Sequence, residues 1–188
     1  MNPIMIADAQ EFAEFAYECV KGTPGFAFHI AKDNCVWTGR LDSLDRDACE
    51  DKGLCVGTGE YVGGSIVNMP GDLTVMLATH GQSSFAPDAI AAFADWLREK
   101  NLNVTQDEND VLVDGKKVAS WARATMVNGM CQSCIHFSIG EMDLDLVQEI
   151  CTKPMVKTPG ALSEYGITAD DILNSGILNM EENENGNN

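Results

Sequence analysis

Positive charge is scarce in this chain. Twelve Lys and Arg stand against 29 Asp and Glu, for a net charge of −17. A nucleic-acid surface needs clustered basic side chains to release phosphate counterions. No dense basic run exists, so nucleic-acid binding is not expected. An acidic protein partner would be repelled at long range unless a local basic patch faced it. Long apolar runs are missing as well. No stretch approaches the roughly 20 residues that span a bilayer, so no membrane segment is expected. Residues 1–10 lack a basic n-region and an apolar h-region, so no secretory signal is read and a cytoplasmic location is expected. A disulfide framework is absent too. The seven cysteines (Cys19, Cys35, Cys49, Cys55, Cys131, Cys134 and Cys151) are odd in number and irregular in spacing. They read as reduced, mostly buried thiols. Neither the GxxxxGK[ST] phosphate loop nor the dinucleotide fingerprint occurs.

What is present suits a globular domain. The chain is 45% hydrophobic and 22% charged over 188 residues, enough for one full core. Helical spacing of Phe12, Phe15, Ala16 and Cys19 predicts a helix over 9–20, broken by Gly22-Thr23-Pro24-Gly25. Two short strands are expected at 26–30 and 34–37, joined by Lys32-Asp33. A weaker helix follows over 41–52, then a brief strand at 54–56 and a resumed extended pattern at Ile66-Val67. Near-continuous apolarity over 73–79 predicts a strand buried on both faces, with Leu73, Val75 and Leu77 on one side. Ile90, Phe93, Ala94 and Leu97 give a third helix, over 87–100. Residues 110–113 and 116–122 flank Asp114-Gly115, a type I′ hairpin signal. A strand over 131–139, a helix over 142–150 and a small helix over 169–174 complete the pattern. Residues 1–178 read as a single domain. Residues 179–188 read as a polar tail that cannot bury enough apolar area to order itself.

Four stretches carry chemistry. Gly63-Gly64 removes two Cβ atoms and lets backbone approach a ligand. Lys117 stands one residue into the return strand of the hairpin. Counting by two places it with Ala119 and Trp121 on one face, and Lys116, Val118 and Ser120 on the other. The same count aligns Cys134, His136 and Ser138, with His136 a core or pocket-wall residue. Cys131 and Cys134 face opposite ways in a strand and no second CxxC exists, so no metal is expected. Cys151 follows a short helix near lysines, where a lowered pKa would make a nucleophile, against the plainer reading of a buried structural thiol.

The order of these stretches resembles the lipoate-protein ligase, biotin-protein ligase and octanoyltransferase superfamily. Val62-Gly63-Gly64-Ser65-Ile66-Val67-Asn68-Met69-Pro70-Gly71-Asp72-Leu73 is similar to its glycine-rich stretch. Asn109 to Ser120 is similar to its hairpin, with the G-x-K-[IV]-A core at Gly115, Lys117, Val118 and Ala119. His136-Phe137-Ser138-Ile139 followed by Asp143-Leu144 is similar to its strand-and-helix step. The resemblance implies an α+β fold of the class II synthetase and biotin-ligase kind: a central mixed, mostly antiparallel sheet flanked by helices. It implies acyl transfer, lipoyl or octanoyl, to a lysine of a carrier domain. Lys117 would hold the acyl carbonyl. Gly63, Gly64, Ser65, Asn68, Val118, Ala119 and His136 would bind the substrate. Cys151, if a nucleophile, would carry a thioester. The partner would be a lipoyl-type carrier domain or an acyl carrier protein, and lipoate or octanoate the substrate.

Two departures from the family pattern matter. Ligases of the family usually carry Arg just before the glycines; here Thr58-Gly59-Glu60-Tyr61 supplies no cation, which argues against ATP. Asn68 stands where a His often follows the glycines. The alternative expectation is therefore a member that binds an acyl or lipoyl ligand without turnover. Oligomeric state has no signature in the sequence.

Overall fold

The structure is a computed structural model that describes residues 1–38, 43–58 and 65–179. Gly63 and Gly64, singled out above, lie outside the described residues, as do the first residues of the helix expected from 41. The expected tail also lies outside them, except for Asn179.

Among the described residues, ten strands and five α-helices follow one another along the chain. They are β1 (Ile4–Ile6), α1 (Ala9–Lys21), β2 (Gly25–Ile30), β3 (Cys35–Thr38), α2 (Arg46–Asp51), β4 (Cys55–Thr58), β5 (Ser65–Asn68), β6 (Leu73–His80), α3 (Phe85–Glu99), β7 (Val104–Asp107), β8 (Asp110–Val113), β9 (Lys116–Thr125), β10 (Met130–Phe137), α4 (Leu144–Ile150) and α5 (Ala169–Asn174). A seven-stranded sheet runs β1-β2-β6-β10-β9-β8-β7. It is antiparallel except for the parallel pair β1–β2. A separate three-stranded sheet runs β4-β3-β5. This is the mixed, mostly antiparallel α+β architecture expected from the sequence.

Helix ends follow local chemistry. The Asp8 carboxylate accepts from the Gln10 and Glu11 backbone N–H groups, and Gly22 closes α1 at φ 122°. Asp143 caps α4 in the same way, and Thr168 with Asp171 forms a capping box on α5. On one face of the large sheet, Val75, Leu77, Ile135 and Phe137 pack against Ile90, Phe93 and Leu97 of α3. On the other, Ala27 and Met76 meet Phe12, Ala13 and Ala16 of α1, with Trp37 of the small sheet beside them. Val36 and Val67 of the small sheet close a third cluster with Cys49 of α2 and Leu146, Val147 and Ile150 of α4. Strand β6 is therefore covered on both sides, as its apolar run predicts.

The segments at 26–30 and 34–37 do not lie in one sheet. Both edges of β2 are taken, by β1 and by β6, so β3 has nowhere to pair there and founds the second sheet. Two edge strands, β1 and β7, were not foreseen. In β7, Thr105, Gln106 and Asp107 are all exposed, so no apolar alternation marks it. All seven cysteines are free thiols. Among the described residues no helix is long and apolar enough to cross a membrane, and no cluster of His, Cys, Asp or Glu has the arrangement of a metal site.

Candidate functional site

The hairpin turn forms as its sequence dictates. Asp114 and Gly115 take φ 51° and 79°, the two positive values a type I′ turn requires. The return strand then departs from simple alternation. Asp110 and Val111 pair with Ser120 and Ala119, but Leu112 and Val113 pair with Lys117 and Lys116, leaving Val118 as an extra residue. This β-bulge puts two successive side chains, Val118 and Ala119, into the core under α3. Lys117 is thereby turned to the opposite face, with Ser120. The face assignment made by counting in twos is thus corrected: Lys117 does not share a face with Ala119 and Trp121. Val118 and Ala119 are fully buried core residues rather than cavity wall.

Lys117 opens onto a cavity of about 480 Å³. The volume lies within the range of small-molecule sites. Ser120, His136 and Ser138 line its sheet side; Ile66 and Val67 of β5 and Met142 and Val147 from around α4 line its apolar side. Met155, Val156, Lys157 and Pro159 form a strap along its edge. Strand β9 outruns β10 at this end, so the Lys117 backbone is free to bond the strap. The Lys117 N–H donates to the Thr158 carbonyl at 2.8 Å, and the Gly160 N–H donates to the Lys117 carbonyl at 2.8 Å. Gly160 permits that approach: a Cβ there would lie 2.8 Å from Lys116 Cβ and 3.1 Å from Val118 Cγ1. We expect Gly160→Ala to push the strap off β9 and to cost about 1–3 kcal/mol by overpacking. Urea unfolding checks this, and an unchanged midpoint would show that the contact is absorbed elsewhere.

The charges at the cavity are paired. Lys117 Nζ lies 3.0 Å from Asp110 Oδ1. Lys157 Nζ lies 2.7 Å from Asp110 Oδ2 and 2.8 Å from Asp107 Oδ2. One carboxylate thus bridges two ammonium groups. The bonds to Asp107 and Asp110 push Lys157 well above the usual lysine range. Glu108 adds a further carboxylate to the lining.

Behind the cavity lies a buried polar chain. Thr74 Oγ1 donates to Asn68 Oδ1 at 2.9 Å and lies 3.5 Å from His136 Nδ1. Ser138 Oγ lies 3.3 Å from His136 Nε2. Since the Thr74 hydroxyl hydrogen is spent on Asn68, the consistent tautomer has His136 Nδ1–H facing Thr74 and Nε2 accepting from Ser138. Asp72 is fully buried. Its carboxylate accepts from the backbone N–H of Met69 (2.8 Å), Ile139 (2.6 Å) and Gly140 (2.8 Å), tying the turn before β6 to the end of β10. Burial pushes Asp72 up to about 6, against the lowering effect of those three donors. Burial, then the Lys117 charge, pushes His136 down to about 3. Its Nε2 is 3.7 Å from Asp72 Oδ2, too long for a hydrogen bond, so burial prevails and the ring is neutral.

The two shifts have opposite linkage. His136 titrates lower in the folded chain than unfolded, so the stability from its neutral form is complete above about 6.5 and is lost as pH falls toward 3. Asp72 titrates higher folded than unfolded, so the extra stability of its protonated form is complete below about 3.8 and is lost as pH rises through 6, while the ionised carboxylate still accepts its three backbone hydrogen bonds. Comparison with His136→Gln isolates the first. We expect the stability advantage of the native chain over that variant to shrink steadily from pH 6.5 to pH 4 in urea unfolding. A difference independent of pH would show that His136 is protonated when folded.

The sequence-derived candidates thus fall into three groups. Lys117, Ser65, His136 and Cys151 line one cavity. Asn68, fully buried, lies behind it, bonded to Thr74 and, through its Nδ2, to the Cys35 carbonyl at 3.5 Å. Val118 and Ala119 lie on the far side of the sheet. Ser65 Oγ is bonded to Thr38 Oγ1 at 2.7 Å and to the Ser43 hydroxyl. Cys151 is half-buried, and burial followed by its neighbour Cys49 pushes its pKa up, opposite to the lowering that an activated thiol requires. Sequence reading missed Asp110 and Lys157. Asp110 faces Ser120 across the hairpin, which counting back from the turn reveals once the bulge is allowed for. Lys157 has no local signal, because only the path of the strap brings it to the cavity.

No family model matches the sequence, and no curated protein matches it. Solved structures do. A bi-partite lipoate protein ligase with its E2 lipoyl domain, from Thermoplasma acidophilum, superposes at TM-score 0.69 and 18% identity, over 93% of this chain and 79% of that one. A lipoate-protein ligase A bound with ATP gives TM-score 0.67 at 17% identity, over 93% and 82%. A mutant biotin protein ligase from Aquifex aeolicus, in complex with biotin, gives TM-score 0.56 at 12% identity, over 94% and 67%. At such identities the likeness establishes the fold.

Proposed function

We propose that this chain transfers a medium acyl group, lipoyl or octanoyl, to a lysine amine on a carrier domain. The observation that carries the reading is the Lys117 ammonium, aimed by the bulge into a cavity that is polar at its sheet side and apolar opposite. The shared fold with lipoate-protein ligases supports it. So does the E2 lipoyl domain of the archaeal system, a carrier of the expected kind. An acyl chain lies against Ile66, Val67, Met142 and Val147, each buried methylene contributing about 0.8 kcal/mol. Its carbonyl meets Lys117, whose charge stabilises the oxyanion as the amine attacks. Asp110, already bonded to Lys117, receives the incoming ammonium and its proton.

The raised pKa of Cys151 favours direct attack by the amine over a thioester on this thiol. The pairing of Lys117 and Lys157 with carboxylates favours a pre-activated acyl thioester over ATP, because polyphosphate would have to displace both pairs. In the direct step Asp110 takes one proton from the acceptor ammonium, the freed amine nitrogen bonds the carbonyl carbon, the carbon–sulfur bond breaks, and a second proton from the nitrogen leaves with the thiolate as a thiol. Incubation with octanoyl-carrier protein and a lipoyl-type acceptor domain, read by intact mass, tests this. The acceptor gains one octanoyl group in an amide. An octanoate complex by calorimetry with no modified acceptor would instead establish ligand binding without turnover. The absence of both would end the acyl reading.

A further inference from the structure

Aminolysis of an acyl group at Lys117 requires a landing point for the acceptor ammonium, close to the carbonyl and able to take a proton. Asp110 is the carboxylate that touches Lys117, through Oδ1. Its other oxygen, Oδ2, is occupied by Lys157 Nζ at 2.7 Å. A lysine of the chain itself therefore sits where a lysine of the acceptor must arrive.

The segment that carries Lys157 is built to yield. Met155, Val156 and Lys157 make no backbone hydrogen bond among the described residues. The Thr152 N–H anchors one end to the Ser43 carbonyl and the Thr158 carbonyl anchors the other to Lys117. Val156 is 96% exposed and Met155 42% exposed, both at the cavity edge. Hydrogen-bonded ion pairs to Asp110 and Asp107 hold Lys157 in place, and Asp107 is largely exposed. Lifting Lys157 breaks these side-chain pairs and no backbone bond.

We infer that Lys157 is an internal stand-in for the acceptor lysine, keeping its place on Asp110 closed until an incoming lysine displaces it. The inference rests on the acyl-transfer reading. It explains why two cations share one carboxylate at the cavity, and why the strap is pinned at Thr158 and Gly160 but left unbonded beside them. It makes the strap a selectivity filter. An isolated amine has to win the carboxylate from a tethered competitor, whereas a carrier that also covers Met155 and Val156 gains apolar contact as it displaces Lys157. The carboxylates that hold Lys157 as an ammonium also keep it from attacking the acyl group itself.

The test is a nuclear magnetic resonance titration of the full chain with Nα-acetyl-lysine methylamide as the amine probe. Lys157→Met, which keeps an apolar stem, should bind the probe about tenfold more tightly than the native chain. Lys157→Arg, which keeps the charge on Asp110, should bind like the native chain. Asp107→Asn, which removes one of the two partners, should give an intermediate gain and serves if the methionine variant does not fold. Equal probe affinity in the native chain and in the folded loosened variants overturns the inference. With a carrier acceptor, the same variants should lower its KM several-fold, and an unchanged or higher KM counts against the inference. Octanoate affinity is measured in parallel. If octanoate does not bind and no acyl transfer is seen, the acyl reading fails, while the probe titration still decides whether Lys157 guards Asp110.

Discussion

Under the proposed function, Lys117→Ala is expected to lower acyl transfer by about a hundred- to a thousand-fold, the usual cost of losing one oxyanion-stabilising donor. The loss should fall on kcat more than on octanoate affinity, because in that reading the acyl chain lies against Ile66, Val67, Met142 and Val147 and not on the ammonium. The substitution also frees Asp110 Oδ1 and leaves Lys157 on Oδ2. Lys117→Arg does not rescue the rate, since a planar fork cannot replace a compact ammonium whose direction is set by the bulge. Lys117 is about a third exposed, so the variant should unfold near the native midpoint. Native-like transfer by a folded Lys117→Ala chain would remove this residue from the chemistry.

Asp72→Ala destabilises the chain by about 3–6 kcal/mol. Three backbone donors, on Met69, Ile139 and Gly140, lose their shared acceptor, at roughly 1–3 kcal/mol for each of the two buried ones and less for the part-buried Gly140. For a chain of this length the melting temperature falls by roughly 10 °C or more. The effect reaches the cavity, because Asp72 fixes the end of β10, from which Ser138 and His136 project. Asp72→Asn keeps one acceptor oxygen and should cost about half as much. Urea unfolding at pH 7 measures both. A loss under about 1 kcal/mol for the alanine variant would mean that water substitutes for the carboxylate.

Much of this arrangement was legible in the residues. The helical spacing of Phe12, Ala16 and Cys19, and of Ile90, Phe93 and Leu97, located α1 and α3. The apolar run of β6 announced a central strand. Asp114-Gly115 specified the turn before Lys117, and the family resemblance singled out Lys117, Ser65, His136 and Cys151, which line one cavity. Other features depend on contacts between distant segments. Ala27 to Ile30 and Cys35 to Thr38 look alike as strands, and only the prior occupation of both β2 edges sends the second into another sheet. The bulge at Val118 breaks no rule of composition, yet it reverses the facing of Lys117. Lys157 and Asp110 are 47 residues apart and meet because β9 extends past β10. Charge state was also hidden. Cys151 looked like a thiol near lysines, and burial decides its protonation instead.

Deleting Val118 would give β8 and β9 an unbroken ladder, a more regular piece of secondary structure than the native one. Lys117 would stay on the cavity face beside Ser120, but the interior beneath α3 would lose the Val118 side chain. Keeping Val118 while forcing strict alternation is the more damaging repair, because it turns Lys117 inward with Ala119. A design that tidied the sheet in that way would return a well-paired protein with its ammonium pointing the wrong way.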